Sequence, residues 1–173
     1  MNQELELELT YLAKELPAEI GSAEPIRIVD IYVPETAQRA QLRLRQKGDK
    51  YEITKKTLLG QKDASRQIEQ TIPLSEDEFL ALSKASSKQV AKNRYAVNVA
   101  GYDAEVDVFA GELEGLVLID FEFATETEKN SFAMPEVALA DVTQENFIAG
   151  GSLAGKSYAN IKPELARFGY EKI

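Results

Sequence analysis

LRLRQKGDKYEITKK (residues 42–56) is the stretch on which the fold turns. Leu42 and Leu44 alternate with Arg43 and Arg45; then come Gly48–Asp49, and Glu52, Thr54 and Lys56 on one face with Ile53 on the other. Period-two alternation on both sides of a Gly-Asp pair is the signature of a β-hairpin. Each strand then carries one charged face and one aliphatic face, because successive side chains point to opposite sides. ELELELT (residues 4–10) repeats the pattern at the start of the chain, with Glu4, Glu6 and Glu8 set against Leu5, Leu7 and Leu9. Three like charges in a row repel, so they need either water or a cation among them.

Working outward, strand-like alternation dominates. IRIVDIYV (26–33), RQIEQTI (66–72), KQVAKNRYAVNVA (88–100), YDAEVDVFAG (102–111) and LVLIDFEFA (116–124) complete eight strand-like segments, with a second turn at Gly101. Two helices interrupt them. Ser75 with Glu78 and Thr125 with Glu128 have the spacing of capping boxes, in which each side chain bonds the other residue's free backbone N–H. From Pro135 onward the tail reads as short helices and loops. Eight turn-linked strands predict a mainly β (α+β) fold, an antiparallel eight-stranded sheet closed into a barrel with a few flanking helices. With no repeat, low-complexity tract or linker, one domain over 1–173 is expected.

Composition removes several chemistries. Among 173 residues there is neither cysteine nor histidine. That excludes disulfides, thiolate metal sites, Ser–His catalysis and the commonest general base. Any metal would be held by carboxylates, which suits Mg2+, Mn2+ or Ca2+. The net charge of −9 argues against a nucleic-acid partner. No apolar run approaches membrane-spanning length, so no membrane partner is expected and the cytoplasm is the default location. Oligomeric state has no signal in the sequence.

The alternation admits two barrels. In one, charges face water and aliphatics form the core. In the other, charges point into a tunnel, which is costly unless opposite charges pair or ligands satisfy them. Periodicity cannot choose. The distribution is suggestive, since Arg43, Arg45, Lys56, Lys92 and Arg94 fall on the middle strands, while carboxylates crowd the first and the last. A polyanion held on one side and metal on the other needs that division.

ELELT, LRLRQKGDKYEITKK, KNRY, EVDVFAGELEGLVLIDFEF and VTQENFIAGGSLA follow one another in an order that resembles the CYTH superfamily of triphosphate tunnel metalloenzymes. The resemblance covers about positions 4–155, leaving 156–173 as a C-terminal segment, and implies the inward-charged tunnel. It also implies metal ligands at Glu6, Glu8, Asp120 and Glu122, and phosphate binding by Arg43, Arg45, Lys56, Lys92 and Arg94. Glu69 and Asp107 are two further acidic candidates. The family's first-strand motif ends in a lysine that works with a second-strand tyrosine. Here Thr10 stands at the lysine position and Tyr32 near the tyrosine, and these two are the catalytic candidates; Lys14 could compensate only if strand geometry allowed it.

The implied activity is Mg2+- or Mn2+-dependent hydrolysis of a small-molecule triphosphate or polyphosphate, with inorganic tripolyphosphate favoured over nucleoside or thiamine triphosphate. The Thr10 departure supports an alternative, a binding module for polyphosphate or nucleotide triphosphate without turnover. Cyclisation of ATP ranks third, because no adenine-reading motif is present.

Overall fold

The computed structural model describes residues 3–38, 41–59 and 63–173, with the backbone alone at Gln3 and Glu4. The hairpin that opened the sequence reading forms as expected: β3 (Leu42–Lys47) and β4 (Lys50–Leu58) pair antiparallel, with Lys47 opposite Lys50 and Arg43 opposite Thr54. Gly48 takes a φ of 58°, the backbone conformation that a tight turn requires. A second hairpin joins β6 (Gln89–Val99) to β7 (Tyr102–Ala110). There Ala100 and Gly101 both have positive φ, as the two centre residues of a type I′ turn must.

The other strands are β1 (Gln3–Ala13), β2 (Ile26–Val33), β5 (Arg66–Leu74) and β8 (Val117–Glu122). Their order is β5-β4-β3-β2-β6-β7-β8-β1, every pairing is antiparallel, and a β1–β5 ladder closes the ring. β1 is the closing strand because it is shared. Residues Gln3 to Leu7 pair with β5, and Glu8 to Leu12 pair with β8. Both helix starts predicted from capping boxes are present: Ser75 caps α1 (Glu76–Ser83) and Thr125 caps α2 (Glu126–Ser131), each with reciprocal bonds to the glutamate three residues on.

The tail departs from its sequence reading. Besides α3 (Gly150–Leu153) and α4 (Tyr158–Ala166) it contributes a ninth strand, β9 (Ala138–Asp141), which pairs with the far end of β1. Four residues with no charge alternation give too little periodicity to mark a strand. Its partner decides the matter, because the end of β1 would otherwise be an open edge.

Two apolar clusters hold the barrel. Outside it, Tyr11, Val106, Ile119 and Phe121 pack beneath Phe132 and Ala138. The second cluster fills one end of the barrel. Leu12, Tyr32, Val90, Phe109 and Leu118 meet Ile148, Leu153, Ile161 and Leu165 of the C-terminal segment. Tyr170 completes it; its hydroxyl accepts from Val117 N–H and donates to Gly115 C=O. The charged strand faces thus point inward, and the ring is open to solvent at one end and apolar at the other. No helix among the described residues is long and apolar enough to cross a membrane.

Candidate functional site

The interior is a cavity of about 560 Å³. Glu6, Glu8 and Thr10 reach it from β1, Arg43 and Arg45 from β3, and Lys56 from β4. Glu69 enters from β5, Lys92 and Arg94 from β6, Asp107 from β7, and Asp120 and Glu122 from β8. Tyr32 stands where the polar wall gives way to the apolar floor. Every site residue proposed from the sequence therefore lines one cavity. Lys14 is exposed beyond the end of the β1–β8 pairing and cannot replace the missing lysine.

Arg45 and Lys92 are buried, Arg43, Lys56 and Arg94 are half-buried, and all five are paired. Arg45 donates from Nε and Nη2 to the two oxygens of Asp30 at 2.7 and 2.8 Å. Burial opposes ionisation of Asp30, but this fork outweighs it and holds the carboxyl far below its usual range. Arg94 grips Asp107 in the same bidentate way, at 2.7 Å for each bond, and also contacts Glu105. Lys92 is a second partner of Asp107. Burial again opposes the charge, yet Lys92 and Arg94 together hold Asp107 down at about 2. Arg43 is held more loosely, with Glu69 at 3.4 Å, while Lys56 lies 3.6 Å from Glu69 and 2.5 Å from Glu6. Glu69 is the carboxylate that both can exchange for a phosphate oxygen at the least cost.

The carboxylates behave differently. Glu6, Glu8 and Glu122 can each bring one oxygen within 4.8 Å of the others. Burial, with Glu105 and Glu8 adding repulsion, pushes the Glu122 carboxyl up. Burial also raises Glu6, where the Glu8 charge adds to it and the Lys56 ammonium does not offset it. Asp120 is pushed furthest, by burial first and then by Glu8 and Asp107, although Arg94 is 3.6 Å away. Three crowded carboxylates that repel one another suit a hard divalent cation, which removes that repulsion and accepts oxygen ligands alone. Asp120 stands apart from the trio. It accepts a 2.7 Å hydrogen bond from Thr10 Oγ1, so the residue at the lysine position now orients a carboxyl rather than supplying a charge.

Several lining groups were not singled out in the sequence. Asp30 is a lone acid in the apolar strand IRIVDIYV, on the same face as Tyr32, and that parity was its available signal. The Thr143–Leu153 segment falls within a motif of the resemblance, but with no strand periodicity none of its residues was assigned to the site. It is tied on by hydrogen bonds: Thr10 N–H donates to Thr143 Oγ1 at 3.0 Å, and Gln144 bridges to Ala64 N–H and the Asp63 carboxylate.

No protein-family model matches this chain. Among curated proteins, it is 32% identical over 151 residues to an inorganic triphosphatase of Nitrosomonas europaea, a match spanning 86% of this chain and 96% of that protein. Among solved structures, an inorganic triphosphatase superposes with a TM-score of 0.63 at 28% identity, covering 86% of this chain and 93% of the other. A putative adenylate cyclase from Bacillus halodurans matches all of this chain and 94% of its own length with a TM-score of 0.57, at 14% identity, and shares the fold alone.

Proposed function

Since this chain belongs to the CYTH superfamily of triphosphate tunnel metalloenzymes, we propose that it hydrolyses a phosphoanhydride bond of a small-molecule triphosphate, inorganic tripolyphosphate first, with Mg2+ or Mn2+ held by Glu6, Glu8 and Glu122. The observation that carries this reading is the division of one cavity. Carboxylates crowd β1 and β8, while Arg43, Arg45, Lys56, Lys92 and Arg94 project from β3, β4 and β6. Ten carboxylates and six cationic side chains line it, so a free triphosphate entering alone would add charge to an already negative cavity. When bound at Glu6, Glu8 and Glu122, a divalent cation would supply the positive charge that offsets charge developing on the phosphate oxygens.

The protein's own groups then position the chain. Arg43 and Lys56, released from Glu69, meet phosphate oxygens, and the Asp30-locked Arg45 and Asp107-locked Arg94 present fixed donors. Burial and the Asp30 charge keep the Tyr32 phenol protonated, so it serves as a neutral donor beside Arg43. Asp120, oriented by Thr10 behind the metal trio, completes the acidic wall. The apolar floor stops a chain from threading through, so a phosphate chain enters by one end.

Phosphate release from tripolyphosphate, ATP and thiamine triphosphate, with and without Mg2+ and Mn2+, tests this reading, and cyclic AMP is scored in the same ATP samples. Release from tripolyphosphate only with metal is the expected result; no release from any of them ends the hydrolase reading. One observation favours a second reading, a binding module without turnover: Thr10 brings no ammonium to the cavity. Thr10→Lys separates the two. Its ammonium would pair with Asp120, and turnover is expected to rise several-fold above the unaltered protein. Tripolyphosphate binding without turnover in the unaltered protein, together with activity gained in Thr10→Lys, would establish the binding module instead.

A further inference from the structure

Gly150 has no left-handed φ, so its backbone would accept any residue; what requires glycine there is space. A β-carbon on Gly150 would lie 2.0 Å from the Tyr32 hydroxyl oxygen and 2.8 Å from its Cζ, distances that real side chains do not tolerate. The turn bearing Gly150 is not free to retreat. Ser152 and Leu153 N–H both donate to Ala149 C=O, at 2.7 and 2.9 Å, and Ala154 N–H donates to Gly150 C=O at 2.9 Å. Leu153 and Ala154 are sealed in the apolar floor. Tyr32 is enclosed by the same floor and stands directly opposite Arg43 in the β2–β3 ladder, its ring and the Arg43 guanidinium both lining the cavity. That guanidinium is held by Glu69 at 3.4 Å.

We propose that Gly150 is a positioning residue for the reaction: the slot left by its missing side chain seats the Tyr32 hydroxyl so that it fixes Arg43 in the phosphate-binding wall. The residue acts through Tyr32 and touches no substrate. This rests on the triphosphatase reading for its effect on turnover, but the contact itself does not. The slot also explains how a segment without charge alternation belongs to the site. It contributes the volume that a tyrosine needs rather than a functional group. Misplacing a positioned group by about 1 Å costs up to about a hundredfold in rate, and a methyl group at position 150 demands a displacement of at least that size.

The experiment is a double-substitution cycle on Gly150→Ala and Tyr32→Phe, measuring kcat and KM for tripolyphosphate with Mg2+, and melting temperature without metal or substrate. Gly150→Ala is expected to lower kcat by about 10- to 100-fold. In the Tyr32→Phe background the same substitution is expected to lower kcat no further, because the hydroxyl it displaces is already gone. Removing the hydroxyl also moves the nearest clash from 2.0 to 2.8 Å, so the double variant should melt above Gly150→Ala alone. Wild-type kcat in Gly150→Ala, or equal kcat losses in both backgrounds, would overturn the proposal. So would a double variant that melts no higher than Gly150→Ala, and this readout holds even if Gly150→Ala folds too poorly to assay. If the unaltered protein hydrolyses nothing, the triphosphatase reading falls, while the melting temperatures still test the seat.

Discussion

Glu8→Gln is expected to lower metal-dependent phosphate release by roughly a hundredfold or more while raising the melting temperature of the metal-free protein. The two effects have one origin. Glu8 sits with Glu6 and Glu122 in the carboxylate trio and adds to the repulsion felt by Asp120. The amide keeps the size of the side chain and removes its charge, so the empty protein loses a like-charge cluster that costs stability. The same change removes a proposed metal ligand. Losing even a group that only orients a ligand commonly costs 10- to 100-fold in affinity or activity, so losing a ligand belongs at the upper end. Calorimetric titration with Mn2+ and a melting curve in chelator check both halves. A variant that is less active only because it is less stable would show that the trio is structural.

Asp107→Ala carries the largest expected effect on folding, a loss of about 3–5 kcal/mol, as found when one partner of a buried ion pair is deleted. Asp107 is enclosed and takes three hydrogen bonds from Lys92 and Arg94. Without it the more weakly acting Asp30 charge is left to oppose the burial and the Arg94 charge that already push the Lys92 ammonium down. Urea denaturation at neutral pH measures the loss.

The pH dependence has a determined sign. Asp107 falls from 3.8 to about 2 on folding, so its contribution is complete above pH ~4 and is lost as pH drops through about 2. Asp120 and Glu122 are raised, so their contribution runs the other way and is lost as pH rises through their elevated values. Metal-free protein should therefore gain stability on mild acidification from neutrality and lose it below about pH 4. The Asp107→Ala protein should keep the gain and show a shallower acid loss. An acid loss equally steep in both proteins would remove Asp107 from the account.

The ring was legible because its signal is local. Arg43 and Arg45 alternate with leucines two residues apart, and Gly48–Asp49 marks the turn within the same fifteen residues. Inside against outside was not legible, because Glu52, Thr54 and Lys56 would alternate identically on a wet sheet. The resemblance supplied that, and the pairing of Arg45 with Asp30 and of Arg94 with Asp107 shows how the inward charges are tolerated. The metal assignment from the motif grouped Asp120 with Glu6, Glu8 and Glu122. In the structure the three glutamates approach one another, while Asp120 accepts a hydrogen bond from the Thr10 hydroxyl and lies 3.6 Å from Arg94. The VTQENFIAGGSLA stretch was visible as a motif, but its role as the floor was not. Ile148, Gly150 and Leu153 matter through the shape they leave for Tyr32, and shape between residues more than a hundred positions apart has no period.

That floor also orders the making of the molecule. During synthesis from the N-terminus, β1 stays without its β8 partner until Glu122 has emerged, and the ring closes across that long span. Ile148, Leu153, helix α4 and Tyr170 come later still, and together they complete the apolar cluster around Leu12, Val90 and Phe109. Contacts of such high sequence separation are slow to form. A nascent chain halted near residue 145 would hold a complete ring of charged side chains above an unsealed apolar end, a form that chaperones and proteases recognise. Turnover would therefore begin only after the segment from Ile148 through Tyr170 has been translated and docked.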